Sequence, residues 1–182
     1  MKSLFIPSII AKNQKEINER IEKVRKDFSL LQLDVMDGKF VENKSVNFNF
    51  KLPKTKCKYE AHLMVEEPEK WVEKNYRKVS AIIFHFEATR ERTPEVIKLI
   101  KSKKLKVGIA INPRTSLNKI KPFLNQLDEV IIMAVNPGKY GSEFIPSVLK
   151  KVRQLRKLKP KLNIEVDGGV NDKTIHRVSK AG

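Results

Sequence analysis

Short apolar runs alternate along the whole chain with segments whose apolar residues recur at helical spacing. The runs are rich in Val, Ile and Leu, are four to ten residues long and end in polar or turn residues, which is typical of buried strands. We therefore predict seven strands, over residues 4–10, 31–40, 58–65, 80–88, 106–112, 128–135 and 163–169.

A helix is predicted after each strand, although the signals differ in kind. The first helix has Asn13 as its N-cap and a charged face opposite its apolar residues. Pro68 is expected to begin another helix. A third is expected to begin at Thr93, as N-cap, and Pro94, at the first helical position. The remaining helices are expected over residues 117–124, 146–158 and 171–180. No linker or shift in composition interrupts the alternation, so residues 1–182 are predicted to form a single domain.

Seven strand–helix units indicate a parallel sheet covered by helices, and two architectures satisfy that pattern. A doubly wound sheet normally has a Gly-rich first turn, which "PSIIAKNQ" lacks, whereas a barrel places its active groups at the carboxyl ends of many strands. Candidate groups lie at such ends here: Ser8, Asp34, His62, Met133 and Asp167. We therefore predict an α/β fold of the TIM (β/α)8-type barrel class, truncated after the seventh β/α unit.

The strand ends carry residues suited to metal binding. Side chains alternate across a strand, so Gln32, Asp34 and Met36 share one face, and Glu60, His62 and Met64 share one face of the next strand. Imidazole with carboxylate suits zinc, iron or manganese better than calcium. An aspartate beside such an ion can act as a base while the ion stabilises an oxyanion.

Two further features point to a small-molecule site. Glycine-containing turns follow the last two strands, "NPGKYGSEF" and "DGGV", and such turns late in a barrel often bind phosphate through backbone N–H groups. Apart from Met1, the only methionines are Met36, Met64 and Met133, each at the end of a different strand. Individually each would be read as a core residue, but together they predict an apolar lining over a reactive centre.

Composition narrows the range of partners. The net charge is +17, but its lysines are spread over nearly every segment without interleaved aromatic residues, so we expect solvated helix faces and no nucleic-acid partner. No apolar run reaches the roughly 20 residues of a membrane span. The start lacks the pattern of a signal peptide, and the single Cys57 cannot form an internal disulfide. A cytoplasmic protein that does not bind membranes is expected.

Successive motifs resemble the signatures of the ribulose-phosphate 3-epimerase family, in the same order from Ser8 to the end of the chain. The matching segments are "PSII", "LQLDVMDGKFVEN", "EAHLMVEEPEKW", "IIFHFEA", "GIAINPRT", "MAVNPGKYGSEF" and "IEVDGGV". The resemblance implies a TIM barrel, an isomerase of carbohydrate metabolism in the pentose phosphate pathway. Its expected reaction is the interconversion of D-ribulose 5-phosphate and D-xylulose 5-phosphate by metal-assisted two-base proton transfer through an enediolate.

Residue roles also follow from the resemblance. Asp34 and Asp167 would be the acid/base groups on opposite faces of the substrate, and the metal ligands would be Asp34, His62, Asp167 and Gln32. The implied cofactor is a divalent metal, with zinc first and iron, manganese or cobalt as alternatives. The implied substrate-binding residues are Ser8, Met36, His62, Met64, Met133, Gly138, Gly141, Gly168 and Gly169.

The chain departs from the family pattern at two places. The family has a histidine where this chain has Gln32, so weaker metal binding or a different preferred ion is expected. The family also continues into an eighth strand and closing helix beyond "VSKAG". Roughly 30 to 40 residues would be absent by that comparison. The open strand edges then predict an unstable chain or a homo-oligomer.

Two alternatives remain open at this point. A related epimerase acting on a six-carbon ketose phosphate, such as allulose 6-phosphate, would share the proton-transfer groups. A catalytically impaired homologue could instead keep the fold and use its basic surface as a binding protein. Exchange of the C3 proton of the substrate in heavy water would separate the enzymes from the binding protein.

Overall fold

A parallel sheet of seven strands, in the order β1 to β7, forms the centre of the computed structural model. The structure describes residues 3–46, 49–138 and 141–182. Every strand pairs in parallel with its neighbour in sequence, as the alternation of strand and helix predicts. The strands are β1 Ser8–Ile9, β2 Leu30–Met36, β3 Lys58–Met64, β4 Ala81–His85, β5 Lys106–Ile111, β6 Glu129–Met133 and β7 Asn163–Asp167.

The sheet curls like a barrel rather than lying flat. In a flat sheet β3 and β7 would be separated by four strand spacings of about 4.8 Å, or about 19 Å in total. His62 of β3 nevertheless has Nδ1 only 3.2 Å from Oδ2 of Asp167 on β7. Side chains of these strands therefore meet across the concave face, and the predicted barrel-type α/β fold is confirmed.

Helices cover the convex face of the sheet. The helix α1 begins after Asn13, whose side chain accepts a hydrogen bond from Glu16 N, and buries Ile17 and Ile21 against the sheet. Trp71 of α2 and Phe84 of β4 are fully buried in the same layer. The helices are α1 Gln14–Val24, α2 Pro68–Asn75, α3 Phe86–Thr89, α4 Thr93–Ser102, α5 Leu149–Leu158 and α6 Ile175–Ala181. Short 3-10 segments include Leu117–Lys119, Lys121–Gln126 and Pro146–Val148.

Some predicted boundaries are wrong for local physical reasons. The fourth strand stops at His85 because the next four residues turn into α3, so the predicted strand over 80–88 is too long. Thr93 does not cap α4, since its hydroxyl donates to Arg90 O and the preceding 3-10 turn runs directly into the helix. β1 has two residues, although Pro7 O still accepts a hydrogen bond from Gln32 N.

The two outermost strands are β1 and β7. Within the described residues, each of them pairs with one neighbour, β1 with β2 and β7 with β6. Ile164 and Val166 of β7 are correspondingly only partly buried. In the same described part of the chain, no helix has the length and apolar character needed to cross a membrane.

Candidate functional site

Three side chains from distant parts of the sequence meet on the concave face of the sheet. His62 Nδ1 lies 3.4 Å from Asp34 Oδ1 and 3.2 Å from Asp167 Oδ2. One ligand atom from each of the three residues lies within 4.8 Å of the other two. The sequence predicted this grouping because all three side chains point to the concave face near the carboxyl ends of their strands.

The local sequence explains why these polar side chains occupy the interior. In the register of β2 with β3, Asp34 is opposite His62 and Met36 is opposite Met64. The residues between them, Val35 and Leu63, face the helices and are buried in the main apolar core. A shift of one residue would exchange these faces, so the apolar face fixes the polar one.

The electrostatics of the three side chains favour a positive charge between the aspartates. Burial opposes charging of His62, but the two neighbouring carboxylates outweigh that cost and raise the pKa of His62 to about 10. Burial raises the pKa of Asp34, aided by the nearby Asp167 carboxylate and opposed by His62. In the metal-free protein a His62 imidazolium can supply this positive charge, and a bound cation can take its place.

The donor set also fits a divalent ion. His62 Nδ1 is buried and within ion-pair distance of both carboxylates, yet it is aligned for a hydrogen bond with neither. Gln32 is 1 % exposed and its Nε2 donates to Asp34 Oδ1 at 3.1 Å, while its Oε1 has no hydrogen-bond partner among the described residues. Two carboxylates, an imidazole nitrogen and a neighbouring amide oxygen are an acceptable ligand set for zinc, iron or manganese.

A cavity of about 190 Å³ adjoins the aspartates. The predicted substrate-binding residues that border it together with Asp34 and Asp167 are Ser8, Met36, Met64, Met133, Gly138, Gly141, Gly168 and Gly169. His62 is fully buried and Gln32 nearly so, and both contact Asp34, which itself borders the cavity. The structure thus brings the predicted polar, apolar and glycine residues to one site.

The glycine turns border the cavity in conformations that favour glycine. Gly138, Gly141, Gly168 and Gly169 all have positive φ angles, between 66° and 95°. A Cβ at Gly169 would lie 2.9 Å from the backbone Cα of Phe144, so this turn packs directly against the preceding loop. Lys139 and Tyr140, which belong to the predicted phosphate turn, lie outside the described residues.

The loop after β2 contributes residues that the sequence reasoning did not single out. Asn43 borders the cavity, and its side-chain amide donates to Gly138 O. Ser45 accepts a hydrogen bond from Met36 N and donates to Asp34 O, which fixes the end of β2. Neither residue could be recognised from spacing, because both act through a loop whose path depends on the tertiary fold.

A second buried histidine was also missed as a candidate. His85 ends β4 on the concave face, and its Nε2 lies 2.9 Å from Nε2 of His62. Its other nitrogen faces Glu87, at 3.4 Å from Oε2. The signal was present in the sequence, since His85 shares the strand face of Ile83 by the same alternation that selected His62.

The chain is similar in sequence to known proteins along most of its length. A model of the ribulose-phosphate 3 epimerase family matches residues 4–182. The ribulose-phosphate 3-epimerase of Schizosaccharomyces pombe is 37% identical over 190 residues, covering all of this chain and 83% of the relative. That of Bacillus subtilis is 36% identical over 188 residues, covering 97% of this chain and 85% of the relative. A cytoplasmic isoform from Oryza sativa subsp. japonica is 36% identical over 166 residues, covering 87% and 73% respectively.

Proposed function

The chain belongs to the ribulose-phosphate 3-epimerase family, and from that premise we propose that it interconverts D-ribulose 5-phosphate and D-xylulose 5-phosphate. The observation that carries the proposal is the meeting of Asp34, His62 and Asp167 beside a cavity that the glycine turns also border. Epimerisation at C3 requires removal of a proton from one face of the carbon and its return to the other. Two carboxyl groups from opposite sides of a barrel are suited to that exchange.

Asp34 and Asp167 act as the acid/base pair in this proposal. Asp34 comes from β2 and Asp167 from β7, and both border the cavity. In each direction one ionised carboxylate removes the C3 proton, and the other, protonated, returns a proton to the opposite face of the enediolate. Burial raises the pKa of Asp34, which favours a protonated form ready to donate.

A divalent metal would be held by Asp34, His62 and Asp167, with the amide oxygen of Gln32 as a fourth ligand. We propose zinc first, since imidazole and carboxylate suit it, with iron, manganese or cobalt as alternatives. When bound, the ion would supply positive charge that stabilises the developing negative charge on the substrate oxygens. Two buried atoms that have no hydrogen-bond partner in the described part of the chain support this assignment, Oε1 of Gln32 and Nδ1 of His62.

The rest of the cavity binds the sugar phosphate and excludes water. Met36 and Met64 are buried together with Val41, and with Met133 they form an apolar wall beside the aspartates. An apolar wall slows the reaction of a carbanion-like intermediate with bulk water. Ser8 borders the cavity and would bind a substrate hydroxyl, and the backbone N–H groups of the Gly168–Gly169 turn are suited to the phosphate.

We also propose a cytoplasmic location and a phosphorylated ketose as the principal partner. A relative from Oryza sativa subsp. japonica is named a cytoplasmic isoform. The net charge of +17 favours the approach of an anionic metabolite without requiring any specific surface site.

The test is exchange of the C3 hydrogen in heavy water. The zinc-loaded protein is incubated with D-ribulose 5-phosphate, and NMR follows both deuterium at C3 and formation of the xylulose epimer. We expect both, and we expect Asp34→Asn and Asp167→Asn to slow epimer formation by roughly 10²- to 10⁴-fold, the usual contribution of an acid/base group. Asp172→Asn, an exposed carboxylate after β7, is the matched control and should leave the rate unchanged.

Metal content is measured on the same samples, so that loss of the ion is not mistaken for loss of the acid/base group. Exchange with allulose 6-phosphate and not with the pentose would move the proposal to a six-carbon substrate. If no exchange occurs with zinc, iron, manganese or cobalt, the proposal of an epimerase is wrong for this chain.

A further inference from the structure

His85 and Glu87 form a buried hydrogen-bond relay behind His62. The His62 and His85 rings are nearly parallel, 20° apart, with their Nε2 atoms at 2.9 Å. Both rings are fully buried, so the facing nitrogens have each other as partners in place of bulk water. The relay continues from His85 Nδ1 to Glu87 Oε2 at 3.4 Å.

Glu87 is anchored at its other oxygen. Oε1 accepts a hydrogen bond from Asn112 N at 2.8 Å and another from the Thr115 hydroxyl. Burial alone would raise the pKa of Glu87, but His85 and these two donors outweigh it and lower the pKa. Glu87 is therefore an ionised carboxylate, which can only accept hydrogen bonds.

The turn that anchors Glu87 is itself fixed by a lysine from a helix. Lys151 of α5 donates to three backbone carbonyls of this turn, those of Asn112, Pro113 and Thr115. The loop after β5 is thereby tied to the helix layer. Glu87 is therefore held on a rigid support rather than on a free loop.

The proton positions along the relay follow from these contacts. Because Glu87 only accepts, a proton of His85 must be on Nδ1, and the 2.9 Å contact between the two Nε2 atoms has room for one shared proton. The Nε2 of His85 then carries a lone pair and accepts from His62, so His62 has its proton on Nε2. The second proton of the His62 imidazolium is on Nδ1, the nitrogen nearest Asp34 and Asp167, so a metal bound there would replace that proton and leave the one on Nε2 in place.

We propose that His85 and Glu87 are positioning residues that hold His62 in its metal-binding tautomer and fix the orientation of its ring. Neither residue touches substrate or metal in this role. The inference rests on the metal site of the proposed function. Partners of ligating histidines generally act in this way, and their loss lowers metal affinity roughly 10- to 100-fold.

Glu87→Gln gives a sharp test because it should reverse the direction of each hydrogen bond in the relay while changing the shape of the side chain little. The Gln oxygen stays with the donors Asn112 N–H and Thr115 hydroxyl, so its NH₂ faces His85 Nδ1. His85 must then carry its proton on Nε2, and His62 is driven to protonate Nδ1. We expect zinc affinity, measured by competition with a fluorescent chelator, to fall roughly 10- to 100-fold.

The matched control is Glu91→Gln, which removes the same charge from an exposed position on the adjoining turn. It should leave zinc affinity unchanged. Two-bond nitrogen–proton NMR spectra of the zinc-free proteins give an independent readout. His85 should be protonated on Nδ1 in the wild type and in Glu91→Gln, and on Nε2 in Glu87→Gln.

A second pair of variants separates the relay from simple packing. His85→Phe keeps a ring beside Phe40, whose ring centroid is 4.8 Å away, but removes the acceptor for His62. His85→Gln retains an amide oxygen that can accept the His62 proton. We expect zinc affinity to fall in His85→Phe and to recover substantially in His85→Gln.

The outcomes distinguish the two proposals. If the wild type does not bind zinc, the metal site of the proposed function fails while the NMR test of the His85 tautomer still stands. If the wild type binds zinc and Glu87→Gln binds it equally well, or if His85 carries its proton on Nε2 in the wild type, the relay is wrong.

Discussion

Gln32 has the weakest zinc donor among the four residues proposed to bind the metal. Its amide donates a hydrogen bond to Asp34 and is almost fully buried. An amide oxygen is neutral and a weaker zinc ligand than an imidazole nitrogen. The predicted consequence is a site that holds zinc less tightly than one with a second histidine.

Gln32→His should therefore bind zinc more tightly. We expect at least a roughly tenfold lower Kd, comparable with the effect of altering a ligand's hydrogen-bond partner. The measurement is competition with a chelator at constant pH. Gln126→His, at an exposed position, adds the same imidazole away from the site and should not change the Kd. Equal affinity in all three proteins would show that position 32 does not reach the metal.

The residues of the site differ in how far sequence could predict them. Asp34 and His62 were predictable, since the two-residue period of a strand places them on the polar face and the carboxyl end. His85 had the same signal, but nothing in the sequence indicated that its ring would stack on that of His62. His62 and His85 are 23 residues apart in the sequence. Their contact depends on the register of the two strands and on the orientation of the rings, which the sequence pattern does not specify.

At the scale of elements, the loops after β2, β6 and β7 enclose the cavity. Asn43 of the first loop hydrogen-bonds Gly138 of the second, and Gly169 of the third packs on Phe144. A Cβ at Gly138 would lie 2.5 Å from Val41 Cβ, so the first two loops are also in close contact. The cavity walls are therefore held by contacts between loops rather than by one element.

Gly169→Ala and Gly141→Ala provide a matched pair for this contact. Their φ angles are +66° and +67°, so an alanine has the same backbone strain at both, on the order of 1 kcal/mol. At Gly141 a Cβ meets no atom of the described residues within 4 Å, whereas at Gly169 it would contact the Phe144 backbone. We expect Gly169→Ala to lose roughly 1–3 kcal/mol more of its free energy of unfolding.

Denaturant titration of the two variants and the wild type measures this difference. The Gly169 variant should also have a raised KM for the sugar phosphate, because the turn must move to admit the Cβ. Equal losses of stability in the two variants would mean that the loop after β7 is not packed as described.

The elements themselves were predicted unevenly. α1 begins where Asn13 predicted it, because a side-chain cap is a local interaction. The segment over 117–124 was predicted as a regular helix but forms two 3-10 segments, of which the second includes Pro122. Pro122 lacks an N–H and fixes φ, and short connectors often adopt 3-10 geometry.

At the scale of the whole molecule, the concave face also carries three glutamates. They lie on the same strands as residues of the site, but nearer to the start of each strand. Glu60 of β3, Glu129 of β6 and Glu165 of β7 each have a buried oxygen without a hydrogen-bond partner among the described residues. Burial raises the pKa of Glu60 to about 8 and that of Glu129 to about 7, and it raises the pKa of Glu165 as well. The interior of the barrel is therefore sensitive to pH.

The folded protein should lose stability as pH rises from about 4.5 towards 8. A carboxyl whose pKa is higher in the folded state binds its proton more tightly there, so stability is greatest below the unfolded pKa and falls until the folded pKa is passed. For Glu129 the window is 4.5 to about 7, and its share is at most roughly 3 kcal/mol.

Glu129→Gln tests this assignment by removing the ionisation while keeping the shape. Thermal unfolding at pH 5 and pH 8 should show a smaller drop in Tm for the variant than for the wild type. Glu143 is exposed, so the Tm of Glu143→Gln should fall between pH 5 and pH 8 by as much as the wild-type Tm does. A wild-type Tm that does not change, or that rises, between these pH values would contradict the pKa assignment.

The sequence by itself determined the seven strands, their order along the chain and the residue types at the strand ends. Those features are local, since periodicity, caps and turn residues act within a few positions of the chain. The tertiary structure alone decided the 3.2 Å distance between His62 of β3 and Asp167 of β7 and the position of His85 and Glu87 behind His62. These contacts require a curled sheet, and curvature arises from the twist and packing of all the strands together.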